Sequence, residues 1–238
     1  MELLFIFSHK LVQESDFMRK KLIFLIAIFC CFSLLLGCNT TPSLNGYVSE
    51  LRCNYFESEN SPLKITAGYG FVEENATKDG TVNKRYYLLT FRLLGTQTEN
   101  VTYSLTLNHQ EKEYHATFKL NPVSHGYTAS IEIDDFSLNE FDLSVSNGSN
   151  IQNVHMKSTV PENTITYQDA LVHLQNKQSE LINSFYDENG KFTAEICLKI
   201  MVKNAHPYWY IGLSTKESTK ALLIDGFTGE LLAIRDVF

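Results

Sequence analysis

From Phe192 to Lys203 the side chains alternate without a break. Phe192, Ala194, Ile196, Leu198, Ile200 and Val202 form one set, and Thr193, Glu195, Cys197, Lys199, Met201 and Lys203 the other. A period of two sends successive residues to opposite faces of a strand, so this run predicts a long strand with one face packed and one face wet. Just upstream the period changes. Ala170, Leu171, Leu174, Leu181, Ile182 and Phe185 make an apolar helical stripe, and Asp187-Glu188-Asn189-Gly190 ends it. Thr166 is placed to cap that helix, with Asp169 three residues on to return the bond. Downstream, Ala205-His206-Pro207 turns the chain into Tyr208-Trp209-Tyr210-Ile211-Gly212-Leu213. Two more strands follow, Ala221 to Asp225 and Leu231 to Val237, the last expected to carry Leu232 and Ile234 into the core. Residues 164–238 therefore predict a small α+β domain with one helix packed on an antiparallel sheet.

Residues 46–147 have a different texture. Short alternating stretches, such as Tyr86 to Leu93 and Val101 to Leu107, recur at roughly ten-residue spacing between turn residues. Asn108-His109-Gln110-Glu111 is one such turn. The expected fold is an all-β sandwich, immunoglobulin-like in architecture but without the Cys-Trp-Cys pattern of antibody domains. Residues 148–163, polar up to Pro161, are expected to be a linker between the two domains.

Within the C-terminal block, Leu223-Ile224-Asp225-Gly226-Phe227-Thr228-Gly229-Glu230-Leu231-Leu232 has the form apolar-Asp-x-x-Thr-Gly-Glu-apolar. Together with the preceding helix and the Trp209-Tyr210 pair, it resembles the PepSY-type domain over about 75 residues. Such modules occur in propeptides of secreted metalloproteases and in bacterial surface proteins, and the resemblance implies a regulatory, protease-inhibiting role. The local physics is that of a structural turn. Asp225 can accept backbone N–H groups, and Gly229 can take the positive φ that a tight return needs.

The N-terminal part carries an address. Met18-Arg19-Lys20-Lys21 precedes fifteen uncharged residues, Leu22 to Leu36, and then Gly37, Cys38 and the polar run Asn39 to Ser43. At about 1.5 Å per residue the apolar run spans roughly 22 Å, short of a bilayer's roughly 30 Å core, so a cleavable signal is favoured over a transmembrane helix. Leu35-Leu36-Gly37-Cys38 resembles the lipobox of bacterial lipoproteins. That resemblance implies cleavage before Cys38, lipidation (diacylglycerol, palmitate) of its thiol and attachment to the extracytoplasmic face of a cell membrane. On this reading 1–37 is a signal peptide and 38–45 a lipidated tether. An ordinary signal peptide that happens to contain cysteine is the other reading. Residues 1–17 are either a start-site artefact or an extended n-region.

Charge and chemistry narrow the function. Four Lys/Arg and three Asp/Glu lie within residues 1–38, which leaves 16 basic and 24 acidic residues beyond them. This balance disfavours nucleic acid and anionic lipid headgroups as partners. Cys53 and Cys197 stand in different expected domains, so they are expected to be separate thiols. His109 and His115 flank a turn without carboxylates or cysteines at metal spacing, and Asp134-Asp135 lacks the alternating oxygen ligands of a calcium loop. No Gly-x-Ser-x-Gly elbow and no phosphate loop occurs, so no catalytic residue, metal or cofactor is assigned. The most suggestive cluster is Tyr208, Trp209 and Tyr210, bordered by Lys199, Met201 and Lys203, a candidate contact patch for an envelope protein or glycan. The expectation is a non-enzymatic, membrane-anchored binding or regulatory module. A hydrolase or protease-inhibitor-type partner and a structural accessory of an envelope complex are the alternatives.

Overall fold

The computed structural model describes residues 43–74, 81–94, 101–121, 126–148 and 150–237. The expected signal peptide and Cys38 lie outside the described residues. Strands dominate: most belong to one large, mainly antiparallel sheet nearly closed into a barrel, and two short helices accompany them. The β-rich class expected from the sequence is therefore the observed one. The separate immunoglobulin-like sandwich is not.

The reason is the first strand, β1 (Val48–Glu59), which follows a short 3-10 turn at Leu44–Tyr47. One edge of β1 pairs antiparallel with β2 (Lys64–Glu73) over Glu50 to Glu57. Its other edge serves two partners in succession. Val48 to Arg52 pair in parallel with β10 (Glu195–Lys203), and Phe56 to Glu59 pair antiparallel with β9 (Ile151–Ser158). Toward the C-terminus, β10 continues through β11 (His206–Ser214) and β12 (Thr219–Asp225) to the edge strand β13 (Leu231–Val237). Beyond β2 come β3 (Arg85–Leu94), β7 (Gly126–Glu132) and the short β6 (Lys119–Asn121). From β9 the branch runs through β8 (Glu140–Ser146) to β4 (Ser104–His109) and β5 (Lys112–Thr117). The stretch expected as a linker thus contains β9, because its residues complete the ladder that β1 leaves open beyond Arg52.

Two apolar clusters lie along this sheet. Phe56, Ala67, Phe91 and the inward residues of the β9–β8–β4 branch make one. The other gathers Val48, Leu51 and Phe71 with Ile196, Leu198, Ile200 and the helices. Leu51 and Phe56 are five apart, yet both are buried on the same sheet face, opposite Phe71 and Ala67 on β2. A slip in register between Arg52 and Asn54 makes this possible: one extra residue in β1 resets the alternation. Gly70 permits the close passage there, since a Cβ on it would sit 1.9 Å from the Leu51 carbonyl oxygen.

The helical stripe forms two helices, α1 (Tyr167–Lys177) and α2 (Ser179–Asn183), interrupted at Gln178, where φ is −126° and ψ 41°. Thr166 and Asp169 form the reciprocal capping box, with Asp169 N donating to Thr166 Oγ1 at 3.1 Å. Ala170, Leu171, Leu174 and Ile182 are buried over β10 to β12. Of β13 only Leu231, its first residue, packs against this cluster. Leu232 and Ile234, expected in the core, are 49% and 47% exposed, because nothing among the described residues covers that edge. Among the described residues no helix is long and apolar enough to cross a membrane.

Candidate functional site

β1 leaves β10 after Arg52 to join β9, so the two strands part company like the arms of a fork. The uncovered face of the sheet forms a cleft of about 770 Å³ here, running from β12 across β11, β10, β1 and β2 to β3. That lies within the range of roughly 300–1,000 Å³ usual for small-ligand sites.

Each wall follows from strand alternation. β10 contributes Lys199, Met201 and Lys203 from its polar face, and β11 contributes Tyr208 and Tyr210. Met201 is 39% exposed although apolar. The Tyr210 ring lies back over Gly212. On the far side stand Arg52 and Tyr55 of β1, and Arg92 of β3. Trp209 is not part of the patch. It belongs to the opposite face, 3% exposed, and its indole N–H donates to the Ile165 carbonyl at 3.0 Å, tying β11 to the start of α1.

The electrostatics of the cleft oppose those of the chain. The full sequence carries a net charge of −7, yet four basic side chains line the cleft against one carboxylate, Glu50. Glu50 Oε1 lies 3.3 Å from both Arg52 Nη2 and Lys199 Nζ, bridging two cations that face each other across the last β1–β10 pair. Arg52 also donates through Nη1 to the carbonyls of Leu51 and Phe71 at 3.1 Å. Burial pulls the guanidinium below its ordinary value, and Glu50 opposes that pull. Among the described residues no carboxylate lies within ion-pairing distance of Arg92 or Lys203. Burial also raises the Tyr55 phenol, with Glu57 adding to the shift.

The Asp225 turn lies at the far end of β12. Asp225 Oδ1 accepts from the amides of Phe227 and Thr228 at 2.8 and 2.9 Å, and Gly229 has φ +74°. Oδ2 pairs with His206 Nε2 at 2.7 Å, and the His206 ring packs against Tyr208 and Phe227. Burial works to raise the Asp225 carboxyl, but the two amides and His206 outweigh it and hold the group below its ordinary value. The pair joins two hairpins.

The remaining candidates are scattered. His109 bonds the Asp135 carbonyl, whereas His115 pairs with Glu113 and Thr106, so the β4–β5 hairpin does not bring the two histidines together. His155 reaches Asp142 at 2.8 Å, and this bond raises its pKa. Cys53 and Cys197 are free thiols pushed up by burial. Among the described residues no group of three or more His, Cys, Asp or Glu could hold a metal ion.

Sequence reasoning assembled the β10–β11 half of the cleft and missed Glu50, Arg52, Tyr55 and Arg92. Their polar parity was visible in strands such as Tyr86 to Leu93. Their partnership was hidden, because it depends on a parallel pairing across 147 residues. No protein-family model, curated protein or solved structure matches the chain.

Proposed function

We propose that this chain is a lipid-anchored protein of the extracytoplasmic membrane face, tethered through Cys38, that works as a non-enzymatic binding or regulatory module of the cell envelope. The address rests on Met18 to Lys21, the apolar run Leu22 to Leu36 and the lipobox-like Leu35-Leu36-Gly37-Cys38. The binding role rests on one observation: the fork cleft gathers three tyrosines, an exposed methionine and four cations on a sheet face left uncovered by the helices. Aromatic bodies with polar tips and unpaired cations suit recognition, supplying contact area and directional bonds together. The C-terminal resemblance to PepSY-type domains adds a regulatory colour, with the ligand a protein of the same compartment.

Two variants test the two halves of the reading. Cys38→Ser should abolish labelling by a fatty-acid analogue and shift the protein from membrane to soluble fractions. Unchanged labelling and retention would refute the anchor. Met201→Glu, in the Cys38→Ser background, should remove binding to isolated envelope fragments while leaving the thermal melt unchanged. Envelope binding that survives this change, or is never seen, would refute the cleft as the contact site.

A further inference from the structure

The fork leaves backbone as well as side chains without partners. Asn204 and Ala205 both have positive φ, at +53° and +59°, which makes a two-residue hairpin loop. Its flanking pair, Lys203 and His206, is then the hydrogen-bonded pair, and alternation assigns Met201 and Lys199 to β11 as well. The N–H and C=O groups of Ile196, Leu198, Ile200 and Val202 therefore point the other way, toward β1. The Ser49 hydroxyl bond to the Ile196 carbonyl agrees with this. β1 pairs with β10 only as far as Lys199. Because Lys199 bonds to β11, the parallel Arg52–Lys199 pair is closed by the Ile200 N–H donating to the Arg52 carbonyl; beyond it, among the described residues, the ladders leave the Ile200 carbonyl and both backbone groups of Val202 without a strand partner. Ile200 and Val202 both line the cleft; Ile200 is buried and Val202, nearer the hairpin, is half-buried.

We propose that this open edge receives an extended acidic peptide segment of a partner protein, which adds to β10 as a short strand inside the fork. The proposal rests on the cleft being the contact site, as argued above, and specifies what enters it. An incoming strand would run beside Ile200 to Lys203, a length of about 13 Å for four residues. Its main-chain groups would meet the Ile200 carbonyl and both backbone groups of Val202, the strand-addition mode of peptide recognition. Its alternate side chains on the open face would stand next to Lys199, Met201 and Lys203, with Arg52 and Arg92 across the cleft. Carboxylates at every second position satisfy that arrangement, and the cations without carboxylate partners, Arg92 and Lys203, are the natural acceptors of charge. A saccharide could use the tyrosines and cations but would not answer a row of strand donors and acceptors.

The test uses the full chain in detergent and a capped hexapeptide of alternating Glu and Val, titrated calorimetrically. The peptide should bind, and N-methylation of its alternate backbone amides should weaken it at least tenfold. Replacing its Glu by Lys should abolish binding, and Lys203→Gln with Arg92→Gln should cost at least tenfold while leaving the melt unchanged. In hydrogen exchange, the Val202 amide should exchange quickly in the free chain and at least tenfold more slowly with peptide, with Ile200 and Met201 slow throughout. Slow exchange of Val202 without peptide, equal affinity for the N-methylated peptide, or tighter binding of an oligogalacturonate would each overturn the proposal. If envelope fragments bind in a Met201-dependent way but the peptide does not, this inference falls and the broader reading stands. If neither binds, both fall.

Discussion

At the scale of single residues, the C-terminal hairpins show how backbone conformation limits side-chain choice. A Cβ on Gly229 would meet the His173 ring at 2.6 Å, in addition to the cost of positive φ. Positive φ alone costs a β-branched residue about 1–2 kcal/mol. Gly229→Val should therefore destabilise by more than that, about 2–3 kcal/mol once ring displacement is added, read as a lower urea midpoint. Ala205 is the opposite case, a residue with a Cβ held at φ +59°. Relief of that strain is worth about 1–2 kcal/mol, and the looser unfolded chain returns about 0.4–1. Ala205→Gly should thus raise stability by roughly 0.5–1 kcal/mol, and a lower melting temperature would contradict the turn assignment. Asp225 gives a pH signature. Its carboxyl is held below the unfolded value near 3.9, so its stabilising contribution is fully present above that value and is lost as pH falls through the lower folded one. The stability gap between the native chain and Asp225→Asn should narrow as pH falls below about 4; a gap that does not narrow in acid would show another origin.

At the scale of elements, β1 is the piece on which the rest depends. It gives Val48 and Leu51 to the helix-side cluster and Phe56 to the other, while Leu44 and Phe71 from its neighbours also enter the first. Losing buried Leu, Val or Phe side chains costs about 2–5 kcal/mol each for the larger ones, and a whole domain has only about 5–15 to lose. Residues 164–238 expressed alone should therefore lack a cooperative transition, whereas 44–238 should melt as one unit. A sharp two-state melt of the short fragment would show that its own strands suffice. The α1 cap, the buried stripe and the β10 alternation were readable because each depends on residues within a turn or two of one another. The break at Gln178, the strand at 151–158 and the exposure of Leu232 and Ile234 were not, since tertiary partners decide them. Residues 151–158, of which only Ile151, Val154 and Met156 are apolar, make a strand because β1 and β8 offer ladders on both sides and bury Val154 and Met156.

At the scale of the whole molecule, half of the candidate site was legible and half was not. Lys199, Met201, Lys203, Tyr208 and Tyr210 share one face by simple alternation along two adjacent strands, whereas Trp209 goes to the other by the same rule. Arg52 and Arg92 join them only through the β1–β10 ladder, so the concentration of positive charge in an acidic chain could not be read from composition. That ladder also sets a timetable. Ser49 and its partner Ile196 are 147 positions apart, and synthesis proceeds at roughly 5–20 residues per second. For roughly seven to thirty seconds after β1 leaves the ribosome, the strand that completes its first half does not yet exist. Long-range parallel pairing is slow even once both strands are present. The N-terminal half must therefore wait with an open edge that invites the wrong neighbour, and the cleft comes into being only when the last quarter of the chain arrives.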